Sequence, residues 1–446
     1  MQLPKSRKRI FFLTSIFSMC SIGILVFLSC ATTNPYVQID AAIEQGNHQD
    51  GIVLIEKDKK TIYRDKDAIL YYLDKGIIAH YAEQYDDSTQ LLQEGERAIE
   101  AAFTKSITME LGSYLLNDKT KEYDGEDYED IYINTFNALN YYHQDKLEDA
   151  LVEIRRMNNK LRLLATKYGE LRTNLQQKAL AEGGSVPPNP EASTQFSDSA
   201  LARYLGMLFY RAVGNYDDAR IDRDQLKVAF ANAPSVYAYP VPHSLDEELG
   251  IPSGKARLNV IGFSGLSPVK HEEVVRIPLP DFRYIKIALP VMVTRPSQVH
   301  RIEVVFDGGN RFDLALLEDM EAVARETFKE KINLIYMKSV IRATLKGVAS
   351  SVLDVAADET DGSTSLLLSV LSLGAQVFAE ASEQADLRIS RYFPAKAYVG
   401  GITLDPGTYS FTTYYYGPNG RTVASFRNTV TVQADNLNLV EIVCLK

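Results

Sequence analysis

The chain has 446 residues, 46% of them hydrophobic, and a formal net charge of -10. Such a length and composition support a buried core, and more than one. An acidic chain repels nucleic acid and anionic lipid headgroups, which argues against both as partners.

Lys5, Arg7, Lys8 and Arg9 precede an uncharged run over residues 10–28, the order of a secretory signal peptide. The run is also long enough for an uncleaved membrane helix, and ordinary secretion is a third reading. The cysteine that ends the run favours a different fate. Phe27-Leu28-Ser29-Cys30 resembles the lipobox of bacterial lipoproteins, with Phe27 where Leu is usual and Leu28 one place late. The resemblance implies a signal peptide over 1–29, acylation of Cys30 and a short tether over 30–35. Several acyl chains on one residue anchor a protein stably, whereas one does not. Cys20 is a poorer candidate, because bulky Met19 precedes it. Residues 1–29 hold four basic and no acidic side chains, so the remainder carries -14. With Cys30 lipidated, Cys444 has no disulfide partner and is expected to be a buried small hydrophobe.

From 36 to 233 the apolar residues recur at helical spacing. Residues 71–95, 137–157 and 204–226 each read as a helix, a tight turn and a second helix. The turn residue is Tyr85, Leu147 or Tyr216. A small residue follows three places later (Ser88, Ala150, Ala219), and Gly76, Ala138 or Met207 lies nine places earlier. These positions resemble the tetratricopeptide repeat, a 34-residue helix pair whose small residues let two helices approach closely. The segment Gly214-Asn215-Tyr216-Asp217-Asp218-Ala219 is the strongest local match. Met207 and Arg223 depart from the pattern, and the turns lie 62 and 69 residues apart. Residues 39–56 are a weaker earlier copy. On this reading Tyr72, Ala79, Tyr141, Arg203 and Tyr210 face a concave groove or its packing seam.

Asp124, Glu126, Asp127, Glu129 and Asp130 form a dense acidic patch. It lacks calcium-loop spacing, and carboxylates favour the positive end of a helix. The segments around 123–157, 260–273 and 385–398 together resemble a family of bacterial lipoproteins with a tetratricopeptide-like N-terminal half and a β-containing C-terminal half. The resemblance spans most of the chain and implies no particular activity.

Residues 182–198 read as an exposed loop and 234–255 as a linker. Beyond it, over 256–446, the period changes. Runs at 256–263, 274–277, 284–289 and 300–306 are strand-like. Residues 407–432 form a hairpin candidate with its turn at Pro418-Asn419-Gly420 and with Tyr409, Phe411 and Tyr415 on one face. A last strand covers 437–445. Between the two β segments a helical insert is expected over 314–385. The fold expected is therefore α+β: a helical repeat domain followed by a β-sandwich-like domain carrying that insert. Residues 363–379 of the insert carry no charge and are too short to span a bilayer comfortably. Lys338, Arg342 and Lys346 place three cations on one helix face.

No catalytic constellation emerges. Ser264 sits in a strand end that lacks the glycine and helix of a nucleophile elbow. Ser267 and Lys270 match S-x-x-K without its companion motifs, and no metal, phosphate or dinucleotide motif is present. The sequence thus points to a non-catalytic lipoprotein of the cell envelope, without cofactor, facing the periplasm. Its helical groove would hold an unidentified envelope protein, and the lipid anchor would provide the membrane contact. The alternative is a lipid or small-molecule carrier with an apolar cavity lined by Leu366, Val370, Leu373 and Phe378.

Overall fold

The computed structural model describes residues 35–108, 118–181, 194–278, 284–358 and 384–446. Cys30 and the leader, most of the loop 182–198 and the run 363–379 lie outside the described residues, as do the side chains of Arg342 and Lys346. The chain is mixed α+β, helical in its N-terminal half and containing sheets in its C-terminal half.

The helices are α1 (Val37–Glu44), α2 (His48–Ile62), α3 (Ala68–Tyr81), α4 (Tyr85–Thr108), α5 (Asp127–His143), α6 (Leu147–Lys167), α7 (Gly169–Ala181), α8 (Ala200–Ala212) and α9 (Tyr216–Asn232). Four hairpins, α1–α2, α3–α4, α5–α6 and α8–α9, close with one turn geometry. Each passes through a left-handed residue: Gly46 (φ 80°), Glu83 (60°), Asp145 (58°) or Gly214 (78°). The next amide then donates to the carbonyl five residues back, Asn47 to Ala42, Gln84 to Ala79, Lys146 to Tyr141 and Asn215 to Tyr210. This Schellman arrangement satisfies carbonyls that a helix end leaves orphaned. The weak copy at 39–56 therefore shares the turn of the three clearer ones.

The small residues sit where helices touch. Ser88, Ala138, Ala150 and Ala219 are buried, and a methyl group on Gly76 would meet Leu92 at 2.9 Å. In the last hairpin the close approach is at Gly206 beside Met207, where a Cβ would collide with the Asp222 carboxylate. Tyr85 stacks on His143 of the next hairpin, ring centroids 4.3 Å apart. Leu147 is half-buried, whereas Tyr216 of the last hairpin is 55% exposed.

The helices form two ranks. Helices α3, α5 and α8 are buried nearly all round, the mark of a helix covered on both sides. Their partners α4, α6 and α9 each keep a solvent face. The segment 234–255 is no free spacer. Val236, Tyr237, Leu245 and Glu248 are buried, and a short 3-10 helix occupies His243–Glu247.

The strands are β1 (Ala256–Ser264), β2 (Val269–Pro278), β3 (Tyr284–Val293), β4 (Arg301–Phe306), β5 (Arg311–Asp313), β6 (Ala315–Asp319), β7 (Lys396–Leu404), β8 (Gly407–Tyr416), β9 (Thr422–Val432) and β10 (Asn438–Cys444). They make a sheet ordered β10-β1-β7-β6, a sheet ordered β5-β4-β8-β9 and a β2-β3 ribbon. Both four-stranded sheets combine strands from the two β segments of the sequence. The expected helical insert is shorter than 314–385. Strand β6 occupies its start, α10 (Met320–Asp358) follows, and Gln384 and Ala385 are not helical. Strand β7 was not expected. Its Gly400 and Gly401 weaken the strand pattern, yet close packing requires them: a Cβ on Gly401 would lie 2.8 Å from the Leu258 carbonyl oxygen.

Strand β1 is buried along its whole length, and its alternation separates two cores. Ile261 and Phe263 join the cluster of α3, α5 and α8. Leu258 and Val260 join a second cluster with Ile302, Phe411 and Tyr415 of the other sheet. Tyr409 packs against that second cluster and Cys444 is buried in it. The order of layers is therefore outer helices, inner helices, first sheet, second sheet.

Candidate functional site

The face that α3, α5 and α8 turn toward the first sheet is covered by the chain's own C-terminal half. His80 of α3 bonds Glu441 of β10 at 2.6 Å through Nε2 and Asn140 at 2.7 Å through Nδ1. The hydroxyl of Tyr142 donates to the Leu439 carbonyl and accepts from the Leu439 amide, both at 3.1 Å. On α8, Arg211 bonds Glu248 at 2.8 Å and Asn259 of β1 at 2.8 Å. The segment 384–395 lies along the same face. Asp74 accepts from Tyr63, Ser390 and the Arg391 amide, and Glu129 accepts from Tyr123, the Glu126 amide and the Ser390 amide.

Glu318 is the most heavily used acceptor at this seam. A register shift in β6 between Leu316 and Glu318 accompanies its burial. Tyr132, Ser199, Tyr237 and the Leu201 amide all donate to it within 2.7–3.1 Å. Burial pushes its carboxyl upward against the pull of those donors. Burial likewise raises Asp74 to about 6 and Glu129 to about 7. Glu441 goes the other way, to about 2, because the charge and hydrogen bonds of His80 and His143 outweigh its desolvation. Perturbed carboxylates often mark a reaction site. Here their acceptors are occupied by fixed protein donors, so they hold layers together.

The groove residues expected from the sequence are displaced from the seam contacts. Tyr72 packs beside Tyr71 and over Gly95. Ala79 is buried and its carbonyl closes the hairpin turn. Tyr141 accepts from Gln93 at 3.0 Å. Arg203 pairs with Asp198 and Asp222, and Tyr210 is half-buried. The seam is built instead by Asp74, His80, Tyr81, Tyr142, Tyr204 and Arg211. Four of these directly follow an expected residue in sequence, and one residue turns a helix by about 100°.

A cavity of about 330 Å³ lies between α4, the start of α5, the end of α6, the β2-β3 ribbon and α10. Its lining mixes apolar side chains, Ile99, Ala102, Phe103, Leu171, Leu334 and Ile335, with charged ones that include Asp124, Glu126, Lys167, Lys270 and Lys331. The acidic patch caps α5: Glu126 and Glu129 form a reciprocal capping box. It also receives the lysines. Lys270 donates to Glu126, and Lys331 to Asp124 at 2.7 Å, to Glu126 at 3.2 Å and to the Gly125 carbonyl. Lys167 donates to Asp127 at 2.6 Å. Desolvation raises Asp124 only in part, since its side chain is half exposed, and the Lys331 charge outweighs it and holds the carboxyl at about 2. The same pairing raises the Lys331 ammonium against its desolvation. Lys338 also lines this cavity.

The serines raised by the sequence are placed away from any nucleophile geometry. Ser264 is fully buried in β1. Ser267 donates to the Ser390 carbonyl at 3.2 Å, while Lys270 is held by Glu126. Among the described residues no group of His, Cys, Asp and Glu could hold a metal ion, and no described helix is long and apolar enough to cross a membrane. The cavity itself was not legible beforehand. The sequence shows the acids and the lysines but not that α10 brings Lys331 across to Asp124, 207 residues away. Comparison with family models, curated proteins and solved structures found no match.

Proposed function

We propose that this is a lipid-anchored, non-catalytic binding protein of the bacterial envelope whose cavity takes a small amphipathic molecule. On this reading Cys30 carries the acyl anchor, the four hairpins are tetratricopeptide-like units, and the two sheets form a sandwich. The single observation that carries the reading is the cavity lined by both apolar and charged side chains, a combination typical of ligand sites. The scaffold reading loses its groove, because the chain's own sheet and the segment 384–395 occupy that face of α3, α5 and α8. An envelope partner would have to use the outer helices.

The test uses the chain from residue 31 onward and the amphipathic dye 1-anilinonaphthalene-8-sulfonate. The dye is excited directly, at wavelengths where no protein side chain absorbs. Dye fluorescence should rise saturably with the wild type. It should be abolished in Ala102→Trp, which fills space among the apolar side chains, while the melting temperature is kept. Equal dye binding by the two proteins contradicts the proposal.

A further inference from the structure

The chemistry of the charged lining residues narrows the ligand. An ammonium has three donors, and the three inner lysines use theirs unequally. Lys331 gives all three, to Asp124, Gly125 and Glu126. Lys270 has a single acceptor among the described residues, Glu126, although its side chain is only 3% exposed. Lys167 has one, Asp127, with its side chain 20% exposed. Besides these bonds, Lys270 lies over the Phe328 ring at 5.2 Å and Lys167 over Phe103 at 5.0 Å, so among the described residues each keeps two N–H donors without an oxygen acceptor. The carboxylates behind them are engaged: Asp127 also accepts twice from Tyr168, and Glu126 Oε1 is shared by Lys270 and Lys331.

Buried donors without acceptors are costly, so an acceptor from outside is favoured there. The interleaved carboxylates limit how much charge it can bring. The lining carries six lysines (Lys105, Lys121, Lys167, Lys270, Lys331 and Lys338) against five carboxylates (Asp118, Glu122, Asp124, Glu126 and Asp386), an excess of one positive charge that suits one added negative charge better than two. The volume limits the rest. At roughly 30 Å³ per water-sized group, 330 Å³ holds about eleven such groups. That matches one short alkyl chain with its head.

Building on the amphiphile reading of the cavity, we infer that its ligand is a single-chain monocarboxylate. The carboxylate lies between Lys167 and Lys270, and the alkyl chain runs along Phe103, Leu171 and Leu334. Charge-assisted bonds from two ammonium groups fix the head. The apolar side chains contribute in proportion to the alkyl area they cover.

Titration calorimetry of the wild type with four ten-carbon probes tests this without relying on a mutant's folding. Decanoate should bind at least tenfold more tightly than decanol and decyl phosphate, and decylammonium should not bind. Lys167→Met and Lys270→Met should each reduce the decanoate preference over decanol at least fivefold and leave decanol affinity unchanged. If decanol or decyl phosphate binds as tightly as decanoate, the carboxylate assignment is overturned while the cavity reading stands. If no probe binds, both fall.

Discussion

The seam and the cavity are built from the same residue types, buried carboxylates with lysine, histidine, arginine and tyrosine donors, yet they differ in how completely those groups are used. At the seam, Glu318 collects four donors, and Asp74 and Glu129 three each. At the cavity, Lys167 and Lys270 keep donors in surplus beside apolar side chains. Burial or a shifted pKa alone does not distinguish a structural cluster from a binding one. The balance of donors and acceptors, together with space for a molecule, does.

The largest expected effect breaks the seam. Glu318→Ala leaves two tyrosine hydroxyls, a serine hydroxyl and the Leu201 amide without their common acceptor, and should cost about 3–5 kcal/mol in urea unfolding. A loss under about 1 kcal/mol would show that the sheet does not depend on that carboxylate. Next is a contrast within the cavity wall. Lys331→Met leaves Glu126 with Lys270 alone, the Gly125 carbonyl without its donor and the half-exposed Asp124 unpaired, and should cost about 2 kcal/mol. Lys167→Met, partly exposed and leaving Asp127 with Tyr168, should cost about 1 kcal/mol or less. Similar losses for both lysines would erase the difference drawn between them.

The pH dependence sharpens the comparison. Asp74 and Glu129 have folded values of about 6 and about 7, above their ordinary 3.8 and 4.5. The folded state therefore binds more protons. The stability these groups supply is fully present below about pH 4 and is lost as pH rises through 6 to 7. Glu441 and Asp124, both near 2, supply stability that is present above about pH 4 and lost as pH falls toward 2. Stability should therefore peak between about pH 4 and 5 and fall by roughly 5 kcal/mol by pH 8. Glu129→Gln should flatten the fall. A rise in stability from pH 5 to 8 would be inconsistent with protonated seam carboxylates. The smallest effect separates the hairpins. Tyr85→Ala removes a stacked contact with His143 and should cost about 1–2 kcal/mol, whereas Tyr216→Ala at the exposed end should stay within about 0.5 kcal/mol.

The hairpins were legible because their turns are local. A left-handed residue two places before Tyr85, Leu147 or Tyr216 and the small residues at 88, 150 and 219 are features of neighbouring sequence. The final hairpin was legible for the same reason: Gly420 takes φ 74° between strands of clear alternation. Strands β6 and β7 were not. The five residues of β6 run directly into α10 and share its apolar character, and the two glycines of β7 answer to Leu314 and Leu258 in distant parts of the chain. For Tyr72, Ala79, Tyr141, Arg203 and Tyr210 the sequence left groove and helix packing as alternatives, because helices buried all round have no polar side from which to read the phase. Long-range donor balance, which defines the candidate site, has no signature in a single sequence.

The proposed ligand site is the lysine-lined cavity and not the helical face that meets the first sheet. Hydrogen–deuterium exchange of the chain from residue 31, with and without saturating decanoate, addresses it directly. Added protection is expected in peptides covering the C-terminal part of α4, the α6–α7 junction around Tyr168 and the first half of α10, with α3 and α8 unchanged. Protection concentrated on α3 and α8, or none anywhere at saturating decanoate, would contradict the account.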